Sequence, residues 1–184
     1  MISKHRLELF SDAVIAIIIT IMVLDLRAPA MGGWHGFVPI LPSVGIYTVG
    51  FLMVALCWAV HNYFLAKVET INRKMLLANL MFLFLLSLTP VVVRTMGEHP
   101  RDFADAVAFL LLYSLCVNML TLFRLASIRD HPGDAALREW HRKRNRMSLV
   151  GQLLLVVFIG LAYVSPVLMV TVYSAIMIWI LSTM

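Results

Sequence analysis

The amino-acid sequence predicts an all-α integral membrane protein with six transmembrane helices, on the grounds of its composition and its hydropathy pattern. Of the 184 residues, 61% are hydrophobic and 14% are charged, whereas a soluble domain averages roughly 45–50% apolar and about 25% charged residues. Uncharged runs long enough for a crossing, which needs roughly 20 residues, recur along the chain. We therefore expect a single multi-pass domain over residues 1–184 in the cell (inner) membrane, with the lipid bilayer as its main partner.

Prolines and glycines set the expected ends of several helices. The run from 28 to 66 is punctuated by Pro29, Gly32, Gly33, Pro39 and Pro42, so we expect its helix to begin near Ser43. The run from 147 to 184 is too long for one crossing, and Ser165–Pro166 at its midpoint predicts a hairpin between two helices. The six predicted spans are 7–27, 43–66, 74–95, 103–125, 146–164 and 166–183.

The distribution of basic residues predicts the orientation in the membrane. Apart from Arg27, Arg94 and Arg101, every Lys and Arg lies before span 1, between spans 2 and 3, or between spans 4 and 5. Because cytoplasmic loops are enriched in Lys and Arg, both termini should lie in the cytoplasm. The longest loop is expected from about 125 to 145. The net charge of +5 is explained by this topology and requires no nucleic-acid partner.

The first helix is unusual because it carries acidic residues within its membrane reach. Its uncharged stretch runs only from 13 to 24, which is about 18 Å of helix. To cross, it must bring Asp12 or Asp25 towards the membrane, where ionisable groups are normally paired and functional. Two basic residues before an apolar stretch, here Lys4 and Arg6, also occur in signal peptides. The acidic Glu8 and Asp12 argue against this interpretation, so we do not expect the segment to be cleaved from the protein.

Counting inward from basic residues at the cytoplasmic edge identifies partners for Asp12. Asp12 lies six residues after Arg6, and His61 lies six residues before Lys67. Asn79 lies five residues after Lys74. Trp58 is about one helical turn from His61 and has an indole N–H to donate. We therefore expect helices 1, 2 and 3 to be tied together by one polar layer, made of Ser11, Asp12, Trp58, His61 and Asn79.

A different face of helix 1 is mostly apolar. At about 100° per residue, one face gathers Phe10, Ala13, Ile17, Thr20, Ile21 and Leu24. Ser11 and Asp12 lie away from its centre, which favours a structural role for the polar layer over the lining of a water path. A catalytic Asp12–His61 dyad is the alternative, but no nucleophile or metal cluster accompanies it. Cys57 and Cys116 lie in apolar runs and are expected to be buried, and no metal or cofactor site is predicted.

Residues 6–12 carry a motif that resembles a known family. Arg6, Phe10, Ser11 and Asp12 fit the RxxxFSD signature of the potassium channels related to the lysosomal transmembrane protein 175, and the match continues to Thr20. The chain is similar to bacterial members with one six-helix unit. The resemblance covers the whole length in architecture, but its specificity lies in helix 1. Ala13 stands where many relatives have glycine.

The resemblance implies a homotetramer that conducts potassium ions, with four copies of helix 1 around a pore. In the family, an aliphatic residue five positions after the motif aspartate forms the narrowest hydrophobic constriction, and this position is Ile17. Thr20 matches a threonine that contributes to potassium preference, while Ile21 and Leu24 match other pore-facing positions. The motif residues Arg6, Ser11 and Asp12 hold the helix through interhelical hydrogen bonds in the family. Trp58, His61 and Asn79 are compatible with less distinctive family positions.

Several other interpretations compete with a channel. The segment 47–51 resembles the TVGYG filter strand, but it lacks the second glycine and sits within an apolar run, so we expect an ordinary helix there. A proton-coupled or other secondary transporter that uses Asp12 and His61 is the main alternative. We see no internal repeat and no helix broken near the middle of the membrane to support it. An intramembrane enzyme is not expected.

Overall fold

The computed structural model describes residues 3–26, 32–130 and 135–182, and the regular structure within these ranges is helical. The first span is a single helix, α1, at Lys4–Leu24. The second is a stack of the short helix α2 (Trp34–Phe37), a 3-10 turn (Val38–Ile40) and the long helix α3 (Leu41–Leu65). The remaining helices are α4 (Arg73–Leu86), α5 (Thr89–Glu98), α6 (Phe103–Asp130), α7 (Ala135–Val164) and α8 (Pro166–Ser182).

These helices confirm the predicted all-α membrane fold. Four segments are long and apolar enough to cross a membrane, namely Lys4–Leu24, Trp34–Leu65, Arg73–Glu98 and Phe103–Ser127. The shorter apolar helices Leu149–Val164 and Pro166–Trp179 complete the six. The expected hairpin is present, because α7 ends at Val164 and α8 begins at Pro166, where the Ser165 hydroxyl accepts a hydrogen bond from the backbone N–H of Leu168.

The third span departs from the expectation of an unbroken helix. It consists of α4 and α5, which are separated at Ser87 and Leu88. Pro90 explains the interruption, since it has no N–H to donate and its ring clashes with the carbonyl of the residue four positions earlier, Leu86. Ser87 and Leu88 keep right-handed helical dihedrals, so α4 and α5 together form one bent crossing and not two half-helices joined by extended chain.

The loop expected from 125 to 145 is also largely helical. Helix α6 continues to Asp130 and α7 begins at Ala135. Between these two helices, residues 131–134 lie outside the described part of the chain. Ala135, Ala136, Leu137 and Glu139 have high helix propensity, and a polar helix extends readily beyond the hydrocarbon once water surrounds it. Hydropathy alone therefore marked the ends of the apolar stretch and missed the ends of the helix.

The core lies between the helices that flank α1. Helix α1 packs against α3, α4 and α5, while α6 lies along α4 and α7. One cluster of buried side chains runs through the middle and the half that contains the C-terminus of α1, and a second cluster around Phe64, Phe123 and Leu7 lies at the end that contains the N-terminus of α1. Within the described residues, this arrangement leaves one side of α1 uncovered.

Candidate functional site

Helix α1 has two distinct faces. Its start is capped by Ser3, whose hydroxyl accepts a hydrogen bond from the backbone N–H of Arg6. Buried side chains recur every three or four positions and form the inner face, which consists of Leu7, Ser11, Ile15, Ile18 and Met22. The side chains on the opposite face remain exposed, as expected for a helix that packs on one side only.

Three buried polar side chains connect α1 to α3 and α4. The Asn79 amide donates a hydrogen bond to the Ser11 hydroxyl at 3.0 Å, and the Asn79 carbonyl oxygen lies 2.6 Å from Nε2 of His61. Because a carbonyl oxygen only accepts, the imidazole donates from Nε2. All three side chains are buried in the apolar interior, where an unpaired polar group is costly. The chain Ser11–Asn79–His61 therefore fixes the rotation of α1 against its two neighbours.

The His61 ring is held on both faces by phenylalanine rings. Phe82 of α4 stacks on one side with a centroid distance of 5.4 Å, and Phe123 of α6 stacks at 5.7 Å. Both rings are buried. Sequence analysis missed these two residues because phenylalanine is common in apolar spans. Aromatic stacking therefore connects the polar layer, at His61, to α6.

Asp12 makes its contact on the exposed side of the helix pair. The Trp58 indole N–H donates to Oδ1 of Asp12 at 2.9 Å, and both residues are partly accessible in the single chain. Two sets of contacts, one buried and one exposed, thus bring together the predicted neighbours, which are Ser11, Asp12, Trp58, His61 and Asn79. Arg6 and Phe10 are exposed, and among the described residues the Arg6 guanidinium makes no hydrogen bond or ion pair.

The face of α1 assigned to a pore is the exposed one. Ile17, Ile21 and Leu24 have large exposed fractions, and Thr20 is also exposed. The Thr20 hydroxyl donates to the Ile17 carbonyl at 2.9 Å, so its proton is used within the helix and its oxygen lone pairs remain as acceptors. This face presents an apolar stripe with one oxygen acceptor per chain.

The structure also shows where the filter-like segment and the two cysteines lie. The segment 47–51 lies inside α3, and the Thr48 hydroxyl bonds to the Val44 carbonyl as in an ordinary helix. Cys57 and Cys116 are buried and are not joined in a disulfide. Within the described part of the chain, no three acidic, histidine or cysteine side chains are grouped to hold a metal ion.

The fold and the site define a multi-pass membrane protein whose first helix is anchored by a polar layer and keeps an apolar face free. The family model for the endosomal/lysosomal potassium channel TMEM175 matches residues 6–90, the part of the chain that contains α1 and the whole polar layer. The chain is similar to this family of ion channels over those residues, and the relatives described below are named as channels and not as enzymes.

Bacterial and animal relatives carry related names. A potassium channel of Chryseobacterium sp. strain P1-3 is 44% identical over 95 residues, which is 52% of this chain and 50% of that protein. A potassium channel of Streptomyces collinus is 29% identical over 90% of this chain and 85% of its own length. The zebrafish endosomal/lysosomal proton channel TMEM175 is 27% identical over 66% of this chain and 24% of its own length. The alignments thus span half or less of two of these three proteins.

A solved structure shows the same fold. The crystal structure of a lysosomal potassium-selective channel TMEM175 homolog from Chamaesiphon minutus superposes with a TM-score of 0.78 and 22% sequence identity. The match covers 96% of this chain and 95% of that chain.

Proposed function

We propose that this chain is one subunit of a channel that conducts potassium ions with modest preference over sodium. Four copies surround a central path, and the exposed face of α1 lines that path. The observation that supports this most is that α1, fixed on its inner side by Ser11 and Asn79, leaves Ile17, Thr20, Ile21 and Leu24 uncovered. The names of the bacterial relatives favour potassium as the permeant ion.

The proposed filter is a ring of isoleucine side chains and not a set of carbonyl groups. An apolar constriction excludes water when it is narrow, and an ion must lose part of its hydration shell to pass. Potassium holds its water less tightly than sodium, so such a ring penalises sodium more. Ile17 forms the narrowest ring in this account, and the Thr20 oxygen atoms, one turn further along, replace part of the lost hydration.

The polar layer has a structural part in this mechanism. Selectivity of an apolar ring depends on its diameter, so the rotation of α1 must be well defined. The contacts of Ser11 with Asn79 and of Asp12 with Trp58 set that rotation at the end of α1 that carries its N-terminus. We assign Arg6 and Phe10, both exposed in the single chain, to contacts with adjacent copies.

We place the channel in the cell membrane with both termini in the cytoplasm. This orientation puts the polar layer at the cytoplasmic end of α1 and puts Asp25 at the outer end. It also places the basic first part of α7, which includes Arg142 and Arg146, in the cytoplasm, as the positive-inside rule requires.

Proton permeation is a second candidate function. The animal relatives are named as proton channels, and Asp12 and His61 are ionisable groups within the span. Against this, His61 is buried and its ring stacks on Phe82 and Phe123, which are apolar. Liposomes with a potassium gradient and a pH-sensitive dye separate the two functions. A potassium channel discharges the potassium gradient when a protonophore lets protons carry the compensating charge, and the dye reports that proton movement.

The filter is tested by replacing Ile17 with asparagine. Ile17→Asn widens and hydrates the constriction, so the potassium-over-sodium permeability ratio should fall towards unity, measured from reversal potentials in planar bilayers. Ile178→Asn is the matched control, because Ile178 of α8 is 54% exposed and Ile17 is 56% exposed. The control should keep the wild-type ratio. An unchanged ratio in Ile17→Asn would exclude Ile17 as the filter.

A further inference from the structure

A chain of ion pairs connects the outer end of α1 to α5. Asp25 caps the C-terminal end of α1, and its Oδ1 lies 3.8 Å from a terminal guanidinium nitrogen of Arg94. Nε of the same guanidinium lies 3.2 Å from Oε1 of Glu98, one turn further along α5. Arg94 therefore contacts two carboxylates at once. The i,i+4 pairing with Glu98 orients the guanidinium towards Asp25.

Close backbone packing brings these charges together. Gly50 of α3 lies where a Cβ atom would be 2.5 Å from Cγ2 of Val93 and 3.3 Å from Sδ of Met22. Val93 directly precedes Arg94, and Met22 is three positions before Asp25. Because a side chain at Gly50 would collide with Val93, the glycine is needed for α1 and α5 to approach α3 at this level. The ion pairs lie immediately beyond this point of close approach.

A cavity beside the ion pairs allows the contact to break without repacking. The cavity has a volume of about 710 Å³, and its lining includes Asp25, Arg94, Glu98 and Tyr47. Arg94 is well exposed and its two partners are partly exposed. Exposed ion pairs are much weaker than buried ones because solvent screens them. The outer attachment of α1 is thus weaker and more reversible than the buried attachment through Ser11 and Asn79.

We propose that Arg94 is a positioning residue that holds the outer end of the pore-lining helix and so sets the width of the outer mouth. This inference rests on the proposed channel function. Helix α1 is then attached at both ends, with Ser11 at one end and Asp25 at the other, while Ile17 lies between the two attachments on the uncovered face. Release of Asp25 from Arg94 frees the last turns of α1, which carry Ile21 and Leu24.

Single-channel recording with a charge exchange tests this role. Arg94→Gln and Asp25→Asn should each lower the open probability several-fold, and the double variant should lose no more than either single variant because both remove one contact. The exchange Asp25→Arg with Arg94→Asp should recover most of the open probability, which a purely structural loss would not. Arg101→Gln is the control, since Arg101 is an exposed outer arginine without an ion pair among the described residues.

The outcomes separate this inference from the channel proposal. If the wild type conducts potassium and the Arg94 variants match it, or if the exchange fails to recover opening, the positioning role is overturned while the channel remains. A second measurement does not depend on conduction: pulsed EPR distances between spin labels at Leu24 and Val91 should broaden in Arg94→Gln and stay narrow in Arg101→Gln. Equal distributions in the two variants would overturn the proposal even for a chain that conducts no ions.

Discussion

Asn79 is the residue on which the inner attachment of α1 depends. Its amide nitrogen and carbonyl oxygen are both used, one towards Ser11 and the other towards His61, and the three side chains lie on three different helices. The sequence predicted this neighbourhood because residues at equal distances from the basic edge lie at equal depth in a membrane. The stacking of Phe82 and Phe123 on His61 was not predictable, since the depth of a residue does not specify which way its side chain points.

Removing the Asn79 side chain should destabilise the fold. Asn79→Ala leaves the buried Ser11 hydroxyl and the His61 imidazole without their partner, and each such group costs about 1–3 kcal/mol. Thermal unfolding in detergent should therefore show a clearly lower midpoint. Asn118→Ala is the control, because Asn118 is exposed and its Oδ1 accepts a long hydrogen bond of 3.4 Å from Gln152. Equal midpoints for the two variants would show that the inner layer is not a main attachment.

At the scale of helices, the packing of α1, α3 and α5 depends on one glycine. Hydropathy predicted the six spans, because apolar length is a local property of the sequence. The break at Ser87, the extension of α7 to Ala135 and the approach of Val93 to Gly50 depend on proline geometry, on helix propensity beyond the membrane and on packing. Arg94 and Asp25 lie at matching ends of their helices, so equal depth is consistent with their contact, but depth does not show that their side chains point towards each other.

Adding a methyl group at Gly50 should separate these helices. In Gly50→Ala the new Cβ meets Cγ2 of Val93 at 2.5 Å, so the Val93 side chain or one of the helices must shift, and overpacking of this kind costs about 1–3 kcal/mol. Gly45→Ala is a matched control on α3, because nothing lies within 4 Å of a Cβ there, and it should stabilise the helix by roughly 0.5–1 kcal/mol. Thermal unfolding distinguishes them. Val93→Ala should restore the midpoint of Gly50→Ala, and its failure to do so would contradict the close-packing account.

For the whole molecule, the central question is what covers the exposed face of α1. Many helices expose apolar side chains, as expected for a protein in lipid, so exposure by itself does not identify a pore. Residues 6–90 are similar to a family of ion channels. The two attachments of α1 explain how a face that the described residues leave uncovered keeps a fixed direction. We therefore expect this face to contact water and ions, whereas the exposed faces of α7 and α8 contact lipid.

Cysteine accessibility during current recording tests this distinction most directly. Leu24 of α1 is 80% exposed and Leu153 of α7 is 71% exposed, so Leu24→Cys and Leu153→Cys form a matched pair, and the native Cys57 and Cys116 are both buried. A water-soluble, positively charged thiol reagent added to the outer side should block potassium current through Leu24→Cys and leave Leu153→Cys and the wild type unchanged. Current through Leu24→Cys that resists the reagent as fully as the Leu153→Cys current would contradict a pore lined by α1.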